Sequence, residues 1–474
     1  MLVQQLNTSY GLNLSTKTGS AKSKGINFIE NKELGAEAYK LIVTPTKIDI
    51  QAKTGKGAFY ALQSLFQLMP AQIYASTKSS EKATVFTCEI EDAPRFSYRG
   101  MMLDAGRHFY PVAFVKRFID LMSVYKLNTF HWHLTEDQGW RIEIKQYPLL
   151  TSKSSVRKES MVGPYKDMKF DKTPYGGFYT QEDIKEVVAY AAQKFINIIP
   201  EIEMPGHSQA LLAAYPQLGC NPDKIYEVAT KWGVSEDVLC PREETFTFMQ
   251  NVLTEVMSLF PGQYIHIGGD ECPKKQWKES RFCQDLMKRL NLKDEHELQS
   301  YFIGRIDKFI TAKGKKMLGW DEILEGGLSP NAMVMSWRGI KGGIEAAKLK
   351  HDVVMTPDNF FYFDYYQADP KTQPLAIGGN LPLSKCYSFE PDLPELTAAE
   401  AKHIVGVQAN VWTEYIATAA HLEYMVLPRM PALAEVLWTP SKNKNWEQFN
   451  QRLQLLFKAY DQKGLHYSPG NYTV

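Results

Sequence analysis

Ile265-His266-Ile267-Gly268-Gly269-Asp270-Glu271 sets the architecture of this chain of 474 residues. An apolar strand pattern stops at two glycines and leaves two carboxylates at its carboxyl tip, the face on which parallel barrel enzymes hold their chemistry. Side chains of consecutive strand residues point to opposite faces, so Asp270 and Glu271 share one pocket only if the chain leaves strand geometry just before them. Gly268 and Gly269 permit that bend. A bare Asp-Glu pair is otherwise an ordinary solvated turn, and its meaning comes from what surrounds it.

Outward from this run, short apolar stretches alternate with longer amphipathic ones from Arg99 onward, the pattern of a parallel sheet with crossover helices. Eight stretches qualify: Gly100 to Asp104, Thr129 to Leu134, Asn197 to Glu201, Tyr264 to Gly269, Lys316 to Trp320, Ala332 to Trp337, Asp352 to Pro357 and Ile404 to Trp412. Eight strands close a (β/α)₈ TIM barrel. Helices are predicted at Val112 to Tyr125, Gln181 to Phe195 and Thr245 to Leu259, each with an apolar stripe at three and four residue spacing. The long interruptions at 146–180 and 205–243 are expected to shape a substrate site. Residues 1–93 read differently, with a hairpin through Leu41-Ile42-Val43 and Ile48-Asp49-Ile50, then a helix from Gly57 that stops at Pro70. The fold class is thus α/β, a small α+β accessory domain at 1–93 followed by a barrel at 94–474.

Composition narrows the partners. Lys plus Arg number 54 against 53 Asp plus Glu, so no global field draws the protein to nucleic acid or anionic lipid. No run of 18 or more uncharged apolar residues is present to span a membrane. Aromatic residues make up 12% of the chain, nine of them Trp, and flat carbohydrate faces are a neutral ligand that uses stacked rings. The six cysteines lack Cys-x-x-Cys metal spacing. Cys220 with Cys240, and Cys272 with Cys283, could each close a short loop in an oxidising compartment, and reduced thiols fit equally.

The residues that follow each strand converge on one rim: Asp104 through His108, Thr135-Glu136-Asp137, Met204 through His207, Asp270-Glu271, Trp320-Asp321-Glu322, Trp337, Tyr362-Phe363-Asp364 and Trp412-Thr413-Glu414. The segments Asp104-Ala105-Gly106-Arg107-His108, His131-Trp132-His133-Leu134, Glu203-Met204-Pro205-Gly206-His207, His266 through Glu271, Gly319-Trp320-Asp321-Glu322 and Trp412-Thr413-Glu414 resemble family 20 glycoside hydrolases, the β-N-acetylhexosaminidases. Gly57 through Gln63 resembles that family's accessory domain. The amino terminus begins abruptly, as if an edge of that domain or a leader were missing.

The resemblance implies release of terminal β-linked N-acetylhexosamine, gluco or galacto, from a glycan or glycoconjugate with retention, the substrate's own acetamido carbonyl attacking the anomeric carbon. It assigns Glu271 as general acid and later base, protonated beside an anionic Asp270 that orients the acetamido N–H. Tyr362 matches the phenol that donates to the attacking oxygen, and Trp320, Trp337 and Trp412 the enclosure of the acetamido group. Arg107, Asp364 and Glu414 match the groups on the remaining ring hydroxyls. Asp137 and His207 match residues that position the site, His207 as polar support. No cofactor and no metal is implied. Glycan scavenging favours an exported enzyme, and oligomeric state is left open.

Other classes make distinct claims. A metal-dependent amidohydrolase would use His131 and His133, which share a strand face, yet no Lys and His set completes a binuclear site. A sugar-binding protein without turnover would keep the pocket, although both acids are present. An ordinary retaining glucosidase would need Glu414 or Asp137 as a second carboxylate facing Glu271.

Overall fold

All eight apolar stretches form strands in the computed structural model, which describes residues 1–470. Ahead of the barrel, α1 (Leu2–Tyr10) and α2 (Gly55–Leu68) accompany a sheet of β1 (Gly25–Glu30), β2 (Tyr39–Val43), β3 (Lys47–Ala52) and β4 (Cys88–Asp92). The predicted hairpin is the antiparallel β2–β3 pair, with β1 added parallel to β3 and β4 antiparallel to β2. The apolar face of α2 covers this sheet, and Trp438 from the barrel's side completes the small core.

The barrel strands are β5 (Tyr98–Asp104), β6 (Thr129–His133), β7 (Asn197–Met204), β8 (Tyr264–Gly268), β9 (Lys316–Trp320), β10 (Met333–Ser336), β11 (Val353–Met355) and β12 (Ile404–Ala409). Every neighbouring pair is parallel, and β12 pairs with β5 to close the ring. The predicted helices are α3 (Val112–Val124), α4 (Gln181–Gln193) and α5 (Glu243–Leu259). A capping box between Thr180 and Asp183 starts α4. Glu243 and Glu244 in the first turn of α5 suit the positive end of its dipole.

The lumen changes character along its axis. Tyr98, Ile199, Leu318, Met333, Met335 and Val354 pack as an apolar layer. Toward the carboxyl end of β7 the same face continues with Glu201, which accepts from Trp320 Nε1 at 2.8 Å and lies 2.8 Å from His266 Nδ1 and 3.0 Å from His131 Nε2, with His133 close by. A fully buried carboxylate survives there because donors surround it. His131 and His133 are therefore interior partners of Glu201, and neither lines the rim cavity.

One cysteine expectation needs correction. Cys220 and Cys240 do come together, as free thiols, but it is Cys283 that joins them, its Sγ 3.8 Å from that of Cys240, and not Cys272. The reason is local: Ser280 caps a helix, α6 (Arg281–Leu290), whose first turn aims Cys283 at Cys240.

Candidate active site

The turn after β8 has the geometry its glycines imply. Gly268 and Gly269 hold φ of 69° and 88°, and Glu271 itself is at 44°. A Cβ on Gly268 would lie 1.8 Å from a carboxylate oxygen of Glu203, and one on Gly269 would lie 2.7 Å from Ile323. Glycine is required at both on conformation and on space. The turn brings Asp270 and Glu271 to one cavity of about 200 Å³, together with Arg107, His207, Trp337, Tyr362, Asp364, Trp412 and Glu414.

Two residues singled out in the sequence stand back from it. Asp137 lies behind His207, accepting from Gln209 N at 2.9 Å and Ser235 N at 3.3 Å, so it fastens the 205–243 segment to the site. Trp320 is almost wholly buried beneath Trp412, ring centres 5.9 Å apart, and is tied to Glu201. Glu136, Tyr365 and Ile377 also line the cavity and had no assigned role. Glu136 sits inside the Thr135-Glu136-Asp137 rim segment, where nothing in the spacing separates it from Asp137.

One wall is knit together. Asp104 accepts from Gly106 N at 2.8 Å and from Thr413 N at 3.0 Å, binding the end of β5 to the segment after β12. That holds Arg107, whose Nη2 is 3.1 Å from Glu136 and whose guanidinium lies 5.0 Å over the Trp412 ring. Glu136 also faces His207 Nδ1 at 2.8 Å and His133 Nε2 at 3.2 Å. Burial opposes charge on His207, but Glu136 and Asp137 outweigh it and raise its pKa well above the usual value. His207 thus favours its charged form.

The opposite wall is open. Neither carboxylate oxygen of Asp364, nor Asp270 Oδ1, nor Glu414 Oε2 has a hydrogen-bond partner among the described residues, though all are buried. Burial, then Glu414, pushes Asp364 well up. Three rings complete this side: Trp337 and Tyr362 stack at 6.0 Å and 16°, and Tyr362 lies 6.2 Å from Trp412. Glu322, in the rim segment after β9, is buried and accepts from Trp337 Nε1 at 2.9 Å, fixing that ring.

The free site shifts the two acids in opposite directions. Burial pushes Asp270 up to about 7, while Glu271, whose Oε2 is 3.4 Å from His207 Nε2, is held below the usual range by that contact. The side chain of Glu271 is 42% exposed, whereas that of Asp270 is 10% exposed. Desolvation therefore falls on the aspartate and the cation's field on the glutamate.

The family model "Glycosyl hydrolase family 20, catalytic domain" matches residues 96–441, and "Glycosyl hydrolase family 20, domain 2" matches 1–93. A Beta-hexosaminidase of Porphyromonas gingivalis is 46% identical over 472 residues, 98% of this chain but 59% of its own length. A Beta-hexosaminidase of Akkermansia muciniphila is 34% identical, over 94% of this chain and 90% of that one. Among solved structures, a GH20 exo β-N-acetylglucosaminidase from Vibrio harveyi in complex with N-acetylglucosamine superposes at TM-score 0.86 with 36% identity, covering 98% of this chain and 72% of that one. The GH20 β-N-acetylhexosaminidase of Streptomyces coelicolor gives TM-score 0.86 at 29% identity, covering 100% and 90%. The chain belongs to glycosyl hydrolase family 20.

Proposed function

We propose that the protein is an exo-acting β-N-acetylhexosaminidase that releases terminal β-linked GlcNAc or GalNAc with retention. The observation that carries this reading is the confinement of Asp270 and Glu271 in a ring-walled cavity of about 200 Å³. That is below the roughly 300–1,000 Å³ of pockets for larger ligands and suits a single sugar. Hydroxyls of such a sugar would supply the hydrogen bonds that Asp364 and Glu414 lack, with Arg107 donating beside them.

The acetamido group, curled beneath the ring between Trp337, Tyr362 and Trp412 over Trp320, places its carbonyl oxygen at the anomeric carbon. Enclosure removes rotational freedom before the bond forms. As that oxygen bonds to the anomeric carbon, the bond to the leaving oxygen breaks and Glu271 gives its proton to that oxygen. Asp270 accepts from the acetamido N–H and balances the positive oxazolinium ion, while the Tyr362 hydroxyl donates to the carbonyl oxygen. Water then adds to the anomeric carbon, returns a proton to Glu271 and reopens the ring with overall retention.

The free-site charges fit this cycle. In the free site burial favours the proton on Asp270, while His207 favours the anion of Glu271. A bound sugar displaces water from Glu271, which raises its affinity for the proton, and the acetamido N–H stabilises the Asp270 anion, which lowers its own. Hydrolysis of an aryl β-N-acetylglucosaminide and of the matching glucoside by wild type, Glu271→Gln and Asp270→Asn tests the reading. Turnover confined to the acetamido sugar supports it; equal rates on both sugars refute it.

A further inference from the structure

We propose that Cys220, Cys240 and Cys283 form a binding site for a thiophilic divalent d¹⁰ cation of the zinc class. The three Sγ atoms lie within 4.8 Å of one another, with Cys240 and Cys283 fully buried and Cys220 half-buried. The 3.8 Å between Cys240 and Cys283 is the spacing that two thiolates take on one tetrahedral zinc, since bonds of about 2.3 Å at the tetrahedral angle put the sulfurs about 3.8 Å apart. A disulfide needs about 2.05 Å.

Three separate segments bring the thiols together. A bridge between Gly219 and Leu239 sets Cys220 and Cys240 side by side, reinforced by Cys240 N donating to Leu218 O at 2.8 Å. Cys283 comes from the first turn of α6, where the helix end favours a thiolate. Trp277, Leu286 and Met287 wall the sulfurs with apolar surface. Soft sulfur donors in such a pocket select a soft or borderline cation over magnesium or calcium.

Charge also fits. Three thiols bind a divalent cation by releasing three protons, which leaves one net negative charge at the site. Arg242, held by the carbonyls of Gln217 and Gly219 at 3.2 and 3.4 Å, stands beside the sulfurs and offsets that charge. Water reaching Cys220 from its open side supplies the fourth ligand. The bound ion would clamp both ends of the 221–239 segment, whose Ala229 N and Ser235 N bond to Asp137 behind His207.

The 474-residue protein, reduced and freed of metal, is titrated with Cd²⁺ alone and followed by the ultraviolet thiolate-to-cadmium charge-transfer band. One equivalent is expected to saturate the band and protect three of the six thiols from a thiol reagent. Cys240→Ser and Cys283→Ser, checked for folding by retained glycosidase turnover, should weaken binding beyond the about 10–100-fold that a lost supporting contact costs. Cys386→Ser should leave it unchanged. Failure of the wild-type band to form, or its persistence in both serine variants, would overturn the proposal. So would a disulfide between any two of the three in protein made without air, seen as a loss of two hydrogens in mass.

Discussion

The two walls of the cavity are built on opposite principles. On one, Arg107, Glu136 and His207 pair with one another, with His133 and Asp137 behind them, and only Arg107 Nη1 is left without a hydrogen bond among the described residues. On the other, buried oxygens of Asp270, Asp364 and Glu414 face the cavity without partners among the described residues. A buried charged group left unpaired costs several kcal/mol, so the open wall weakens the folded state and the knit wall supports it. The open wall is where a ligand rich in donors gains most, because its hydroxyls complete hydrogen bonds that the fold leaves unmade. Ligand binding therefore draws mainly on the open side of the pocket and stability on the knit side, with Arg107 Nη1 the one unpaired donor that the knit side offers a sugar.

Substitutions test that division. The largest effect is expected from Glu271→Gln, which removes the transferable proton and should lower kcat/KM about 10²–10⁴-fold with little change in thermal midpoint. Asp270→Asn comes next, with a loss of about 10²–10³-fold in kcat, since the positive intermediate loses its counter-charge. Glu136→Gln breaks the knit wall and should destabilise the fold by about 3–5 kcal/mol, read as a lower urea midpoint. Glu136 has a depressed pKa: burial opposes ionisation, but Arg107, then His207, outweigh it. Its support is thus present above the unfolded carboxylate value and fades as pH falls through its folded one.

Asp364→Asn should do the reverse on stability. A carboxyl whose folded pKa is raised destabilises the protein once pH passes its unfolded value, so the amide should lift the thermal midpoint at neutral pH while lowering kcat/KM about 10–100-fold. Loss of stability in Asp364→Asn together with unchanged stability in Glu136→Gln would contradict the contrast between the walls. The smallest effect is on pH dependence. The carboxyl pair must hold its proton to protonate the leaving group, so kcat/KM should fall as pH rises through about 7, where Asp270 titrates. In Asp270→Asn that limb should move to lower pH, because Glu271 alone is held below the usual range by His207.

The barrel was legible because its strands are buried on both faces and read as apolar runs bounded by turns. The exception is instructive: β7 was expected to stop at Glu201 and runs to Met204. Charged residues look like a strand's end until histidines from β6 and β8 are seen to surround Glu201. β1 and α1 were missed since their partners are distant in sequence, although Gly11 ends α1 in the left-handed conformation. Motif position placed most of the rim correctly. The charges on Asp270 and Glu271, and the choice of Cys283 over Cys272, depend on distances of a few ångströms across separate segments, which spacing along the chain does not encode.

The central claim is that the sugar's own amide makes the first bond while Glu271 moves the proton. A series of aryl glycosides that differ only in fluorination of the N-acetyl group tests it most directly, because each fluorine weakens the carbonyl oxygen as a nucleophile while changing its size little. The account predicts a steep, progressive fall in kcat/KM along the series. A flat dependence would contradict it and assign the attack to a carboxylate of the protein.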